Sequence, residues 1–157
     1  MDQVIVRQRA SENETLSLLG EQFTVLASAE ETGSYEAFIQ VVPAGGGPPL
    51  HAHPWDEAFY VLEGELVFRT DNQQVQAVAG AFVHFPAGVP HAFATSHGTA
   101  TVLSFTSRSG AAAFFRESFW TACKFPGDLA QLLAVAPRHH VQVLETTGSG
   151  LVHHGGA

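Results

Sequence analysis

The stretch Gly45-Gly-Gly-Pro-Pro-Leu-His51-Ala-His53-Pro-Trp-Asp-Glu57-Ala-Phe-Tyr-Val-Leu-Glu-Gly64 decides the reading of this chain. Two histidines stand two residues apart, and a carboxylate follows four residues after the second. On a strand, side chains at i and i+2 point to the same side. His51 and His53 therefore aim two imidazoles at one point. Glu57 joins them by parity if the chain stays extended through Pro54. Imidazole together with carboxylate suits a divalent first-row ion such as iron, manganese, nickel, cobalt or zinc.

A fourth ligand comes from Gly80-Ala-Phe-Val-His-Phe-Pro86-Ala-Gly88-Val-Pro-His91, which reads as a strand, a Pro-Gly turn and a histidine opening the next strand. Together the two stretches resemble the paired signatures of the cupin superfamily. The first signature, G-x5-H-x-H-x3-E-x6-G, is matched by Gly45, His51, His53, Glu57 and Gly64. The second, G-x5-P-x-G-x2-H-x3-N, is matched by Gly80, Pro86, Gly88 and His91, with Thr95 standing where the pattern usually has Asn. The resemblance implies an all-β double-stranded β-helix, a jelly-roll barrel of antiparallel strands, over roughly residues 15 to 107. It also implies one divalent metal ion per chain, held by His51, His53, Glu57 and His91.

The flanking sequence fits short strands at regular spacing with turn signals between them. These are expected at Gln22 to Ala29, Tyr35 to Pro43, Ala58 to Thr70 with a turn at Gly64, Gln73 to Val78, Ala81 to Phe85, His91 to Ala94 and Ala100 to Thr106. Glu30 to Ser34 reads as a turn. The period then changes. Phe114, Phe115, Phe119 and Trp120 fall at helical spacing, and Leu129 to Val135 reads as a second helix with Asp128 as N-cap and Pro137 as its stop. Val141 to Leu144 reads as a short last strand. The helices are expected on the outside of the barrel or against a partner subunit. Residues 1–157 are thus read as a single domain, with a barrel core over about 15–107, a helical extension over about 108–145 and a flexible tail over 146–157. The aromatic helix followed by a short Leu-Ala-rich one also resembles the tail of small single-domain cupins similar to quercetin dioxygenase.

Composition narrows the function. Charged residues make up 14% of the chain against 45% hydrophobic, with twelve Phe, which is ample material for a core and an apolar pocket. A net charge of −8 argues against nucleic acid, anionic membrane surfaces and polyanionic substrates. The lone cysteine, Cys123, excludes an internal disulfide framework and fits a reducing cytoplasm. No basic segment followed by a long apolar run opens the chain, so no signal peptide is expected, and no apolar stretch is long enough to span a bilayer.

Four protein ligands on a six-coordinate ion leave two positions for water, for an oxygen substrate, or for substrate with dioxygen. One carboxylate and three neutral imidazoles on a divalent ion leave a charge of about +1, which favours an anionic oxygen ligand. In quercetin dioxygenases, as the resemblance implies, the flavonol binds the metal through oxygen, the glutamate takes its proton, and dioxygen cleaves the ring. Carried onto this chain, Glu57 is both ligand and general base, with His51, His53 and His91 as ligands. Parity puts Phe59 on the inward face with Glu57, and Phe93 on a face with His91; Phe38 and Gln40 come from the preceding strand. These four are the candidate substrate-binding residues, and filling the barrel core is the competing role for the Phe side chains. The expected activity is a dioxygenase acting on an aromatic or enol-containing small molecule. A non-oxidative metalloenzyme (isomerase, cyclase or decarboxylase) and a non-catalytic binding protein are the alternatives. A homodimer is the expected assembly.

Overall fold

The computed structural model describes residues 4–8, 13–95, 97–107, 110–121 and 129–145. Cys123, Asp128 and the tail 146–157 lie outside the described residues. The strands are β1 (Thr15–Leu18), β2 (Glu21–Ala27), β3 (Tyr35–Val42), β4 (His51–Ala52), β5 (Glu57–Glu63), β6 (Glu65–Arg69), β7 (Gln74–Val78), β8 (Phe82–Phe85), β9 (Ala92–Ala94), β10 (Ala100–Ser107) and β11 (Gln142–Val143). The helices are α1 (Ala29–Thr32), α2 (Ala111–Thr121) and α3 (Leu129–Val135), the last running into a 3-10 turn at Ala136–His139.

A six-stranded sheet in the order β1-β2-β3-β10-β5-β8 faces a three-stranded sheet β7-β6-β9 and the pair β11-β4. Every pairing is antiparallel. A bridge between His51 and His91 carries the smaller sheet across to β4. The result is the jelly roll that the two signatures imply. Burial alternates along the strands, as a sheet with one face to the core requires. In β5 the buried residues are Glu57, Phe59 and Val61, and in β2 they are Glu21, Phe23, Val25 and Ala27.

Two apolar cores fill the interior. One lies between β5, β10 and the smaller sheet, and contains Phe59, Phe68, Phe85 and Phe93 with Val61, Leu66 and Val102. Its rings meet at centroid distances of 5.2–6.2 Å in tilted and edge-on pairs, as aromatic quadrupoles prefer. The other core lies where the large sheet extends beyond the small one. There the inner faces of β1, β2 and β3 are covered by α2 and α3, so that Phe23 stacks on Phe115 at 4.2 Å and Phe38 meets its edge at 5.4 Å. The helices therefore replace a missing facing sheet, which corrects the expectation that they lie outside the barrel. Their apolar stripe needed a partner, and the uncovered strands needed a lid.

Residues 29–32 form a helical turn where a simple turn was expected. Ser28 caps it in a capping box with Glu31. Glu36, 2% exposed on β3, joins this turn to the rest of the fold. Its carboxylate accepts hydrogen bonds from Ala29 N at 3.3 Å, Ala112 N at 3.2 Å and Thr106 Oγ1 at 3.1 Å. One carboxylate thus serves the N-terminal N–H groups of both α1 and α2, which have no partner within their own helices.

Candidate metal centre

His51, His53, Glu57 and His91 converge, with their ligand-type atoms all within 4.8 Å of one another. The backbone explains how. His51 and His91 exchange both backbone hydrogen bonds, His51 N to His91 O at 3.0 Å and His91 N to His51 O at 2.9 Å. Residues directly opposite in an antiparallel pair project to the same side. His53 follows two residues after His51 and keeps that side. Glu57 arrives differently from the sequence expectation. The chain bends at Pro54-Trp55 instead of staying extended, and Glu57 opens β5 on the opposite sheet. The cluster therefore joins the two sheets, three imidazoles from one and the carboxylate from the other.

Each imidazole has its Nδ1 committed. His51 Nδ1 donates to Pro49 O at 2.9 Å, His53 Nδ1 to Trp55 O at 3.0 Å, and His91 Nδ1 to Val89 O at 2.9 Å. A carbonyl only accepts, so these bonds place a proton on Nδ1 and turn each Nε2 inward. His53 Nε2 and His91 Nε2 lie 2.9 and 3.0 Å from Glu57 Oε2. Two atoms on perpendicular bonds of about 2.1 Å to one ion are about 3.0 Å apart, so the spacing fits a shared cation. Burial pushes His51 down to about 3 and keeps it neutral. Burial alone would raise Glu57. Its contacts with His53 and His91 more than offset that and hold it below the usual carboxylate range.

Outer contacts fix the rings. The Trp55 ring, buried, stacks on His53 at 4.5 Å and 9°, and Phe85 stacks on His91 at 4.4 Å and 10°. Gly88 N donates to His53 O at 2.8 Å, tying the second signature to the first. Thr95 sits where the pattern usually has Asn, and its role is visible. Its hydroxyl donates to Pro43 O at 2.7 Å and accepts from Gly45 N at 3.0 Å, anchoring the glycine loop. Gly47 in that loop has φ +139°, and a Cβ there would sit 1.9 Å from Phe93 O, so only glycine lets the loop lie against β9.

A cavity opens beside His51 and Glu57. Of the four expected substrate-binding residues, Gln40 and Phe93 line it. Phe38 and Phe59 do not; they are 1% and 0% exposed, packed within the two cores. The rest of the wall is largely apolar: Leu18, Leu19 and Phe23 from β1, β2 and the turn between them, Phe114, Phe115 and Leu132 from the helices, and Val141 and Val143 near the end of the described residues. Sequence reasoning missed this helical wall, although the Phe114-Phe115 pair at helical spacing was its visible signal. It also missed Glu21, on the cavity wall and 3% exposed, which accepts a hydrogen bond from Gln40 Nε2. Burial pushes the Glu21 carboxyl up to about 8.

A family model described as "Cupin domain" matches residues 38–106. Quercetin 2,3-dioxygenase of Bacillus subtilis (strain 168) is 30% identical over 101 residues, covering 60% of this chain and 29% of the relative. The dimethylsulfoniopropionate lyase DddQ of Ruegeria pomeroyi is 35% identical over 63 residues, covering 40% of this chain and 31% of the relative. The chain thus spans under a third of the length of either relative. Among solved structures, an RmlC-like cupin from Shewanella frigidimarina superposes with a TM-score of 0.60 at 20% identity, covering 69% of this chain and 96% of that one. That likeness bears on the fold. Among the described residues, no helix is long and apolar enough to cross a membrane.

Proposed function

Since the chain belongs to the cupin superfamily, we propose that it is a metal-dependent dioxygenase acting on a small aromatic or enol-containing molecule. One observation carries the reading. Three Nε2 atoms, each turned inward by an Nδ1 bond to a backbone carbonyl, converge with a carboxylate oxygen in a buried cluster. Without a cation the buried carboxylate is satisfied only by imidazoles that take up a second proton away from water, a cost that a divalent ion at the same point removes. The similarity over 101 residues to a quercetin 2,3-dioxygenase favours the oxidative chemistry.

His51, His53, Glu57 and His91 would hold the ion. A divalent transition metal there would supply a Lewis acid for a substrate oxygen and, if redox-active, a path for electrons to dioxygen. The protein's own part follows from its atoms. Glu57 Oε2 is engaged by His53 and His91, whereas among the described residues Oε1 has no hydrogen-bond partner. Glu57 Oε1 is therefore the atom that takes a hydroxyl proton from the substrate, while Oε2 stays in the cluster. The apolar wall keeps bulk water from the enolate so formed, and admits an apolar gas such as dioxygen. The cavity holds about 70 Å³, room for on the order of five waters at about 10–15 Å³ each. That favours a compact ring over a flavonol, unless the helical wall yields.

The similarity to a lyase over 63 residues favours a second reading, non-oxidative proton abstraction by the same Glu57. Elemental analysis of untagged protein beside a His51→Ala, His53→Ala double variant, with oxygen-electrode traces over flavonols, catechols and compact hydroxy-ketones, separates them. Metal near one per chain, lost in the double variant, with oxygen uptake on one compound supports the dioxygenase. Metal with turnover but no oxygen uptake supports the second reading. Metal no higher than in the variant ends both. A homodimer in the cytoplasm belongs to the same proposal, and light scattering and cell fractionation test it.

A further inference from the structure

The cavity wall carries four polar side chains. Two belong to the metal cluster, His51 and Glu57; the other two are Glu21 and Gln40. They sit diagonally across the β2–β3 pair, where Phe23 is the residue opposite Gln40, among Leu18, Phe93 and Phe115. A leucine at position 21 would fill such a wall at no electrostatic cost. A carboxyl group there loses its hydration and recovers one hydrogen bond, from Gln40 Nε2 to Oε2. Among the described residues Glu21 has no other side-chain partner, and neither of its oxygens is a fully enclosed orphan. Glu36 shows the contrast: it is buried on the neighbouring strand and receives donors from two helices and a threonine. Glu36 has a structural task that Glu21 lacks.

We infer that Glu21, steadied by Gln40, is a second polar anchor of this site, which hydrogen-bonds one oxygen of a compact apolar ligand whose other oxygens lie at the His/Glu cluster. The inference rests on the metal reading above and extends it to the class of ligand: a small cyclic hydroxy-ketone with a further oxygen on the ring. Desolvation keeps Glu21 protonated up to about 8, with the Glu57 charge acting in the same direction. The free Glu21 oxygen is then a hydroxyl donor aimed at a ligand acceptor. The ionisable groups that share the cavity with it are Glu57 and His51; the helices contribute only apolar side chains to the wall.

The test uses cobalt(II)-loaded full-length protein and maltol, a compact hydroxypyranone with a ring oxygen. Cobalt absorption reads binding at the cluster. Infrared difference spectra, taken at a pH between 4.5 and about 8, read the carbonyl stretch of a protonated carboxylic acid. Wild type should show that band, shifted by maltol, and Glu21→Gln should lack it. Glu21→Leu should bind maltol about tenfold more weakly, as loss of one hydrogen bond predicts. Glu21→Gln, which keeps a donor, should fall between. Equal affinity in all three, or no acid band in the wild type, overturns the proposal while leaving the cluster intact. No cobalt absorption in the wild type breaks the metal reading, and this proposal falls with it; cobalt absorption that ignores maltol overturns this proposal alone.

Discussion

The two halves of the barrel interior are built from similar strands and closed in different ways. Over β5 and β10 a second sheet supplies the cover, and Phe59, Phe68, Phe85 and Phe93 pack ring against ring, each 5% exposed or less. Over β1, β2 and β3 the cover is a pair of helices, and the packing leaves a cavity that reaches Glu57 and His51. Sheet on sheet brings two pleated surfaces together at one spacing, so large rings interdigitate. Helices on a sheet match less regularly, and the mismatch is where a ligand fits. The closed half holds the histidines still, through Phe85 against His91, and the open half admits what they act on.

The largest test of this division is the cluster itself. Replacing His51 and His53 with Ala should take bound metal from near one per chain to background, read by elemental analysis. Metal binding in turn stabilises the fold by mass action, so chelation should lower the wild-type melting temperature and leave that of the variant unchanged. Next comes the closed core. Phe59→Ala should cost about 3–5 kcal/mol in urea unfolding, because its ring is fully enclosed. Glu36→Ala strands the backbone donors of α1 and α2 and should cost about 2–4 kcal/mol. On the open side, Phe115 is half-buried against the cavity, and Phe115→Ala should cost about 1–2 kcal/mol. If Phe115→Ala were as damaging as Phe59→Ala, the contrast between the halves would collapse.

A further test sharpens the contrast by pH. Glu21 carries a folded-state value near 8 against an ordinary 4.5. Between those values the unfolded chain has released a proton that the folded one retains. The unfolded state therefore binds fewer protons, and the Glu21 contribution to stability falls as pH rises through that window. Glu21→Gln has no such loss. Relative to wild type it should gain stability steadily from pH 4.5 to 8, measured by unfolding at each end. A pH-independent difference would mean that Glu21 is not held neutral.

Most of the barrel could be read from the sequence, because two signatures mark turns that only glycine and proline serve and place three histidines at strand parity. The four clustered side chains followed from the same spacing, and the bend at Pro54 changed the route to Glu57 without changing its destination. The cavity wall was harder to read. Glu21 lies 24 residues before the first signature and meets Gln40 only through the β2–β3 register, diagonally across the pair. The contacts of Phe115 with Phe23 and Phe38 depend on where α2 lands, which local periodicity does not encode. Phe38 and Phe59 had the right parity for a pocket. Parity tells inside from outside, but not filled space from open space.

The short pairing of β11 with β4 reaches beyond the residues that the family model matches. Gln142 and Val143 pair with Ala52 and His51, Leu144 N donates to Leu50 O at 2.8 Å, and Glu145 receives Arg69 of β6 at 2.6 Å. The family match ends at residue 106. For anyone trimming this protein to a minimal unit or grafting it onto another scaffold, a cut placed there would spare every histidine of the signatures. It would also remove the clamp on the strand that carries the first of them, leaving a motif that reads as complete on a half-supported site.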